Sequence, residues 1–423
     1  MRHRHLATAA LAGLALVPAS AAAAPFSAPT PITGFGAQPQ LAGVSDSAAA
    51  PNGASIVAGT RSVGNQRQVV VALGAPGRAP ATAHALRGAA IITSQPQVGI
   101  SDAGRAAVVW SEGSVAFLAT CANGQCTTPR TVGRSALKAQ PAVAMQPNGR
   151  TTVMWRGHTS RGNRLQWRIT TNGKLGRTHT LGEFGNQPQL GTDASGKTVA
   201  LWSRYVTSSR SPMGIRTAAR RAGEFTRPTT LFSGRVTSGQ LETGARGLTY
   251  AAWVAPDANA VLASSRTANT RFAAPQTVVG GDARTVDLAT SSSGFGALAI
   301  GRAAGSFDVT VWASVASPGG NFSQPVNVGG GQFISDLDPA LAAVTAGGTT
   351  TIAWVGQPNP TSQYPAQAFA SSATPGGPFS SPQMVSDQAT VQAGGATLAA
   401  AGDLTQFAFV GPSAVLVARA VAG

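Results

Sequence analysis

The sequence predicts an all-β chain folded as an eight-bladed β-propeller of four-stranded antiparallel blades, its ring closed by pairing of the N- and C-terminal strands. Three observations predict it: a repeat readable eight times, a strand-and-turn composition, and a single repeat unit divided between the two ends of the chain. The repeat is plainest in "QPQVGISDAGRAAVVW" ending at Trp110, "QPAVAMQPNGRTTVMW" at Trp155 and "QPQLGTDASGKTVALW" at Trp202. In each, a Pro is followed eight residues later by a turn Gly and six residues after that by Trp. Looser copies end at Trp253, Ile300 and Trp354. The first copy, from Pro39, carries an insertion before Gly53, and the last starts at Gly394. Repeat starts near 39, 96, 141, 188, 239, 286, 339 and 394 give a period of 45 to 57 residues. That suits propeller blades and is too short for a tandem of immunoglobulin-like sandwiches, which need about 100 residues per unit.

Each copy holds four short β-prone runs separated by turn residues, here named strands A to D. From Pro188 they read "PQLGT", "KTVALW", "GIRTAAR" and "FTRPTTLF". The Trp series ends strand B in register and is expected to pack between blades. The eighth copy stops at Gly423 after its third strand, whereas "PFSAPTPI", from Pro25 to Ile32, matches the fourth-strand segment "PFSSPQMV", from Pro378 to Val385. Segment 25–38 therefore completes the last blade, and 25–423 reads as one domain. Closing the ring removes the free strand edges that invite aggregation.

Ahead of this domain, basic Met1 to His5, an apolar run from Leu6 to Val17 and the small residues Ala21 to Ala24 form a secretory signal peptide over 1–24. No stretch is long enough to span a bilayer as a helix, which needs about 20 apolar residues. The expected address is extracellular or the cell envelope, and the expected form is a monomer. Export favours a disulfide between Cys121 and Cys126, which bracket "ANGQ". Asn-Gly nucleates a two-residue hairpin that sets the cysteines opposite each other. The remaining histidines, His84, His158 and His179, are not spaced with these cysteines, so no metal site is expected.

Gly191 to Thr198, "GTDASGKT", satisfies the phosphate-loop pattern G-x-x-x-x-G-K-[ST]. Its siblings in the repeat are A-to-B turns, and the segment after Thr198 is a strand. No helix N-terminus is on offer to hold a phosphate, so no nucleotide or other cofactor is expected.

The C-to-D segments "SVASPGGNFSQPVNV", around Gly320 and Phe322, and "SSATPGGPFSSPQMV", around Gly377 and Phe379, resemble the sialidase-type (BNR or Asp-box-like) repeat of secreted bacterial propellers. That repeat has S-x-D-x-G-x-x-W at the corresponding turn; here Phe stands for Trp and the Asp is absent. The resemblance implies a secreted propeller and, as an alternative function, a divergent sialidase-like glycoside hydrolase. Such an enzyme needs a Tyr nucleophile with a Glu partner. The candidates are Tyr205, Tyr250 and Tyr364, with Glu112, Glu183, Glu224 and Glu242, and no motif assembles them. Tyr205 and Tyr364 are placed in loops. No facing carboxylate pair for an ordinary glycosidase is legible, so no catalytic residue is assigned.

Two binding regions are expected. Strand A lines the channel, and its apolar positions Leu41, Val98, Val143, Leu190, Leu241, Leu288, Leu341 and Ala396 should face the blades. The opposite parity sets Gln40, Gln97, Gln189, Gln240 and Asp287 around the channel mouth, with Glu242 deeper. The B-to-C loops vary most in length. In blades three and four they carry Arg156, Arg161, Arg164, Arg204 and Arg210, on the face that also receives the D-to-A loops. With the leader removed, 29 basic residues stand against 15 acidic, a balance suited to a polyanion. The functional expectation is a non-catalytic exported binding or scaffold propeller, its partner a glycan, an acidic wall polymer or a protein. A purely structural or adhesive envelope protein is the remaining alternative.

Overall fold

In the computed structural model the described residues run from 24 to 422, excluding 36–42, 137–138, 161, 172, 183, 194, 206–211, 222, 245–246, 305–307, 333–339, 357–365, 387–390, 392–394 and 412–413. The expected signal segment, but for Ala24, thus lies outside them. The chain forms eight antiparallel sheets, with a 3-10 turn at Pro256–Ala258. The A strands of blades one to eight are Gly43–Ala49, Ile92–Ile100, Ala142–Met145, Gly185–Thr192, Ser238–Thr243, Ala283–Thr290, Leu341–Val344 and Ala396–Ala401.

The eighth blade is the composite one expected. Thr30–Ile32 pairs antiparallel with Val415–Val421, setting Thr30 opposite Val417 and Ile32 opposite Val415. Just outside this strand, the Ser27 amide donates to the Arg419 carbonyl at 2.8 Å and the Arg419 amide returns to the Ser27 hydroxyl at 3.2 Å. The Arg419 guanidinium reaches Gln406 in the same blade and Ser55 in the first, tying the seam across the ring.

A regular turn explains the repeated glycine. In seven blades the amide of the first turn residue donates to the carbonyl four residues on, as from Ser101 to Arg105, Asp193 to Lys197 and Thr345 to Thr349. The fourth turn residue is then Gly53, Gly104, Gly149, Gly196, Gly247, Gly294 or Gly348, with φ between 74° and 92°. Side chains other than Gly are strained in that left-handed region. The phosphate-loop look-alike is one of these turns: Thr192 ends strand A, Gly196 takes the left-handed position and Thr198 starts strand B. Ala50 to Ala54 makes the same five-residue turn, so the insertion expected before Gly53 is not there. The C-to-D segments likened to the sialidase-type repeat also close as turns, with Gly320 donating to Ser317 and Gly377 to Thr374.

The core is a ring of eight apolar clusters, one at each blade interface. Trp110, Trp155, Trp202, Trp253 and Trp354 are all within 1% of full burial, each packed against the preceding blade. Ile300 and Phe409 hold the same place in blades six and eight. In the first blade that position is Gly59, and Phe35, arriving from the terminal strand, fills it: a Cβ on Gly59 would lie 2.9 Å from the Phe35 ring. Two indoles meet glycine on the preceding blade's outer strand. A Cβ on Gly133 would come within 2.6 Å of Trp155, and one on Gly329 within 2.4 Å of Trp354. The hairpin staple is present, with Cys121 opposite Cys126 and their α-carbons 4.0 Å apart.

Candidate functional site: the central channel

The eight A strands and their turns enclose a channel of about 720 Å3, within the range of small-molecule pockets. Strand register defines its levels. The residue paired with the one preceding the Trp position marks a single ring: Asp46 opposite Ala58, Gln97 opposite Val109, Ala142 opposite Met154, Gln189 opposite Leu201, Gln240 opposite Ala252, Asp287 opposite Ala299, Leu341 opposite Ala353 and Thr397 opposite Ala408. Three amides, two carboxyls and one hydroxyl thus share one level. Glu242 stands two residues nearer the turn face, opposite Tyr250.

Of the residues expected at the mouth, Gln97, Gln189, Gln240, Glu242 and Asp287 line the channel, and Gln40 lies outside the described residues. Asp46 joins them, and the repeat does not point to it. Aligning the first copy on Pro39 puts Gln40 and Leu41 in strand A, whereas the strand is Gly43–Ala49 and has no proline to mark it. The turn signal "PNG" immediately after Ala50 is the clue that the sequence does offer. Leu341 departs from its expected parity for a related reason. The turn from Thr345 to Thr349 has ordinary length, so the extra residue of that copy moves Leu341 onto the ring level, where it packs toward the eighth blade. Val143, Leu241 and Leu288 enter the interblade clusters as expected, and Val98 and Leu190 pack against them.

The two ring aspartates also join blades. Asp46 Oδ2 accepts from the Val98 amide at 2.8 Å and Asp287 Oδ2 from the Ala342 amide at 2.9 Å, each on the A strand of the next blade. Burial raises all three channel carboxyls. Asp46 is pushed up to about 7, with its amide bonds opposing and the Asp287 charge adding. Asp287 is pushed up to about 6 against bonds from Ala342 and Leu288. Glu242 reaches into channel solvent yet is walled by protein on every side. That enclosure, with the charges of Asp287 and Asp46, raises it to about 8. Near neutral pH the set is therefore part acid and part carboxylate, offering donors as well as acceptors. Among the described residues no three His, Cys, Asp or Glu side chains stand close enough to hold a metal ion.

The repeat sets Asp287 and Glu242 on the channel without facing them as a pair; the structure adds Asp46, so three carboxyls share it. The tyrosine candidates do not join them. Tyr250 is fully buried, its hydroxyl donating to the carbonyls of Gly294 and Ser317. Tyr205 ends the strand Thr198–Tyr205 and is not in a loop, and Tyr364 lies outside the described residues. Glu112 accepts from the Trp110 indole and pairs with Arg87, and Glu224 pairs with Arg177 and His179. Glu183 is also outside the described residues.

On the loop face, Arg204 is exposed and Arg156 half-buried, while Arg164 lies over the Phe184 ring at 3.5 Å from its centroid. Arg161 and Arg210 are outside the described residues.

No family model matches the chain and no curated protein matches it. Among solved structures it is similar to a PL25 ulvan lyase bound to -[GlcA(1-4)Rha3S]-, at 9% identity over 86% of this chain and 97% of that one, TM-score 0.47. It is similar to the β-propeller domain of the Trilobed protease from Pyrococcus furiosus, at 9% identity over 82% and 99%, TM-score 0.47. A third similar structure is the α-L-arabinofuranosidase Arb93A from Fusarium graminearum, at 10% identity over 69% and 98%, TM-score 0.42.

Proposed function

We propose that this protein is an exported binding propeller that takes a glycan at the mouth of its channel. The observation that supports it is the ring of Asp46, Gln97, Gln189, Gln240 and Asp287 at one level of a 720 Å3 channel, with Glu242 beneath. Amides and part-protonated carboxyls supply the mixed donors and acceptors that sugar hydroxyls require. The rest of the lining sets hydroxyl side chains such as Ser47, Thr243 and Thr290 among apolar positions such as Val143 and Leu341, adding further partners for sugar hydroxyls. On the loop face Arg156, Arg164 and Arg204 suit an acidic substituent on that glycan or wall polymer. Arginine grips carboxylate and sulfate with two parallel hydrogen bonds. Export is supported by the leader-like N-terminus and the Cys121–Cys126 disulfide.

The test is a glycan and wall-polymer array on the chain from residue 25, with isothermal titration of the best hits. Gln189→Ala and Gln240→Ala should each weaken binding about tenfold, the loss of one or two buried hydrogen bonds. Unchanged affinity in both would overturn the channel reading. A second reading, a glycoside hydrolase, is favoured by two channel carboxyls in unlike settings: Asp287 accepts from the Ala342 amide, whereas burial and the other channel charges raise Glu242. Divergent environments for two carboxyls are how acid and base roles are divided. Turnover of a bound glycan that disappears in Glu242→Gln while binding persists would establish that reading over the first.

A further inference from the structure

The face opposite the loops, built from A-to-B and C-to-D turns, carries a feature that the channel does not use. Across blades three to five it gathers Arg150, Lys197, Arg220, Arg221 and Arg266. Direct contacts join the turns that hold them. Gln146 Nε2 donates to the Gly196 carbonyl at 2.7 Å, joining the third and fourth A-to-B turns. Lys197 Nζ donates to Asn269 Oδ1, and Arg221 reaches the Asn269 carbonyl at 3.4 Å, joining the fourth blade to the fifth.

Arg220 is only 8% exposed, and its Nε is buried without a hydrogen-bond partner among the described residues. The same is true of the Nε atoms of Arg150 and Arg266. Burial pulls the Arg220 guanidinium below its ordinary range and the neighbouring Arg150 charge adds to it. For Arg266, burial acts first, Asp193 opposes it and Arg221 adds to it. Asp193 is the carboxylate that acts on Arg266. It is buried, and its Oδ1 already accepts from the Ser195 hydroxyl at 2.6 Å and the Lys197 amide at 2.9 Å. Glu224, opposite Arg221 in the C-to-D hairpin of the fourth blade, is already met by Arg177 and His179, while the pair of Arg87 with Glu112 lies in the second blade's surroundings. Like charges held together at a buried guanidinium, with its donors unmet, are costly unless an anion meets them.

We propose that this turn face is a binding site for a tetrahedral oxyanion, a sulfate or phosphate group, gripped by Arg150 and Arg220 and flanked by Lys197, Arg221 and Arg266. The group is either a free inorganic ion or an ester on a polymer. The site does not depend on the glycan reading of the channel. It also does not revive the phosphate-loop reading of Gly191 to Thr198, since arginine side chains and not a helix N-terminus supply the donors.

The experiment measures melting temperature and isothermal titration of the chain from residue 25 in low-salt buffer. Sodium phosphate and sodium sulfate are compared with sodium chloride at matched ionic strength, and dextran sulfate with dextran. Sulfate or phosphate should raise the melting temperature saturably beyond chloride. Arg150→Met and Arg220→Met should each weaken the titrated affinity at least tenfold, and the surface pair Arg221→Ser with Lys197→Ser should weaken it as well if Arg220→Met fails to fold. Arg78→Ser, on the same face of the first blade and with the same charge change, should leave it unaltered, as should Glu242→Gln in the channel. Tighter binding of dextran sulfate than of either inorganic ion identifies the ester, and equal binding identifies the free ion. A response reproduced by chloride, or lost equally in Arg78→Ser, overturns the site.

Discussion

Replacing Phe35 or Ile32 with alanine tests whether the ring is held shut by its terminal strand. Ile32 is 1% exposed and Phe35 2%, and both enter the cluster where Val415 and Val417 of the eighth blade meet Val44, Val57 and Val70 of the first. Phe35 occupies the space over Gly59 that an indole fills in five other blades, and nothing else there is large enough to replace it. Truncating a buried Ile or Phe to Ala costs about 2 to 5 kcal/mol through lost transfer energy and the cavity left behind. The two share one interface, so the double variant should lose less than the sum. Either loss is large against a total stability of about 5 to 15 kcal/mol. Urea unfolding followed by tryptophan fluorescence should show each midpoint lowered. Deleting residues 25–35 should in addition free the edge of Val415–Val421 and produce dimers or aggregates on size exclusion. A deletion that stays monomeric with the parent midpoint would refute closure by this strand.

Three further outcomes rest on particular contacts. Asp46, Asp287 and Glu242, at about 7, 6 and 8, sit above the unfolded carboxyl range near 4, so the native state keeps protons that the unfolded state has released. Their contribution is fullest below about pH 4 and is lost as pH rises through 6 to 8; urea midpoints at pH 5, 7 and 9 should fall, with a flatter slope in Asp46→Asn and Glu242→Gln. Gly133→Ala should destabilise by about 1 to 3 kcal/mol, because the new methyl meets the Trp155 ring, whereas Gly280→Ala, whose nearest neighbour is 4.0 Å away, should be near neutral in the same melts. Exported protein should gain two mass units on reduction, and Cys121→Ser with Cys126→Ser should cost about 2 kcal/mol of stability while leaving glycan binding intact.

The ring, the split blade, the hairpin disulfide and the interblade tryptophans are legible in the sequence because each leaves a periodic or local mark. A left-handed turn demands Gly, an interface demands bulk, and Asn-Gly sets a register. The channel is legible where strand A keeps the usual spacing to its turn Gly, as at Gln97, Gln189, Gln240 and Asp287. The first blade lacks that spacing, so its strand reads several residues early and Asp46 escapes notice, and with it the convergence of three carboxyls. Phe35 is hidden for a different reason: it supplies the first blade's missing bulk from the opposite end of the ring, and no spacing rule connects it to Gly59. The arginines draw attention to the loop face, where length varies. A second grouping is on the uniform turns of the other face, where the proximity of Arg150 to Arg220 comes from blade stacking and not from sequence spacing.

The split eighth blade also shapes how the chain acquires its fold. Thr30 and Val417 hydrogen-bond across 387 positions of chain, the kind of contact whose loop-closure entropy makes it late to form. Seven blades can assemble in succession from neighbouring hairpins, but the outermost strand of the eighth must wait for a partner strand made 387 positions later. In that interval a nearly finished ring displays one open strand edge and one loose strand that fits it. At high concentration the strand of one molecule can dock on the edge of another, giving exchanged dimers whose every contact is native. Dilute refolding therefore favours closure within one chain, and crowding before closure works against it.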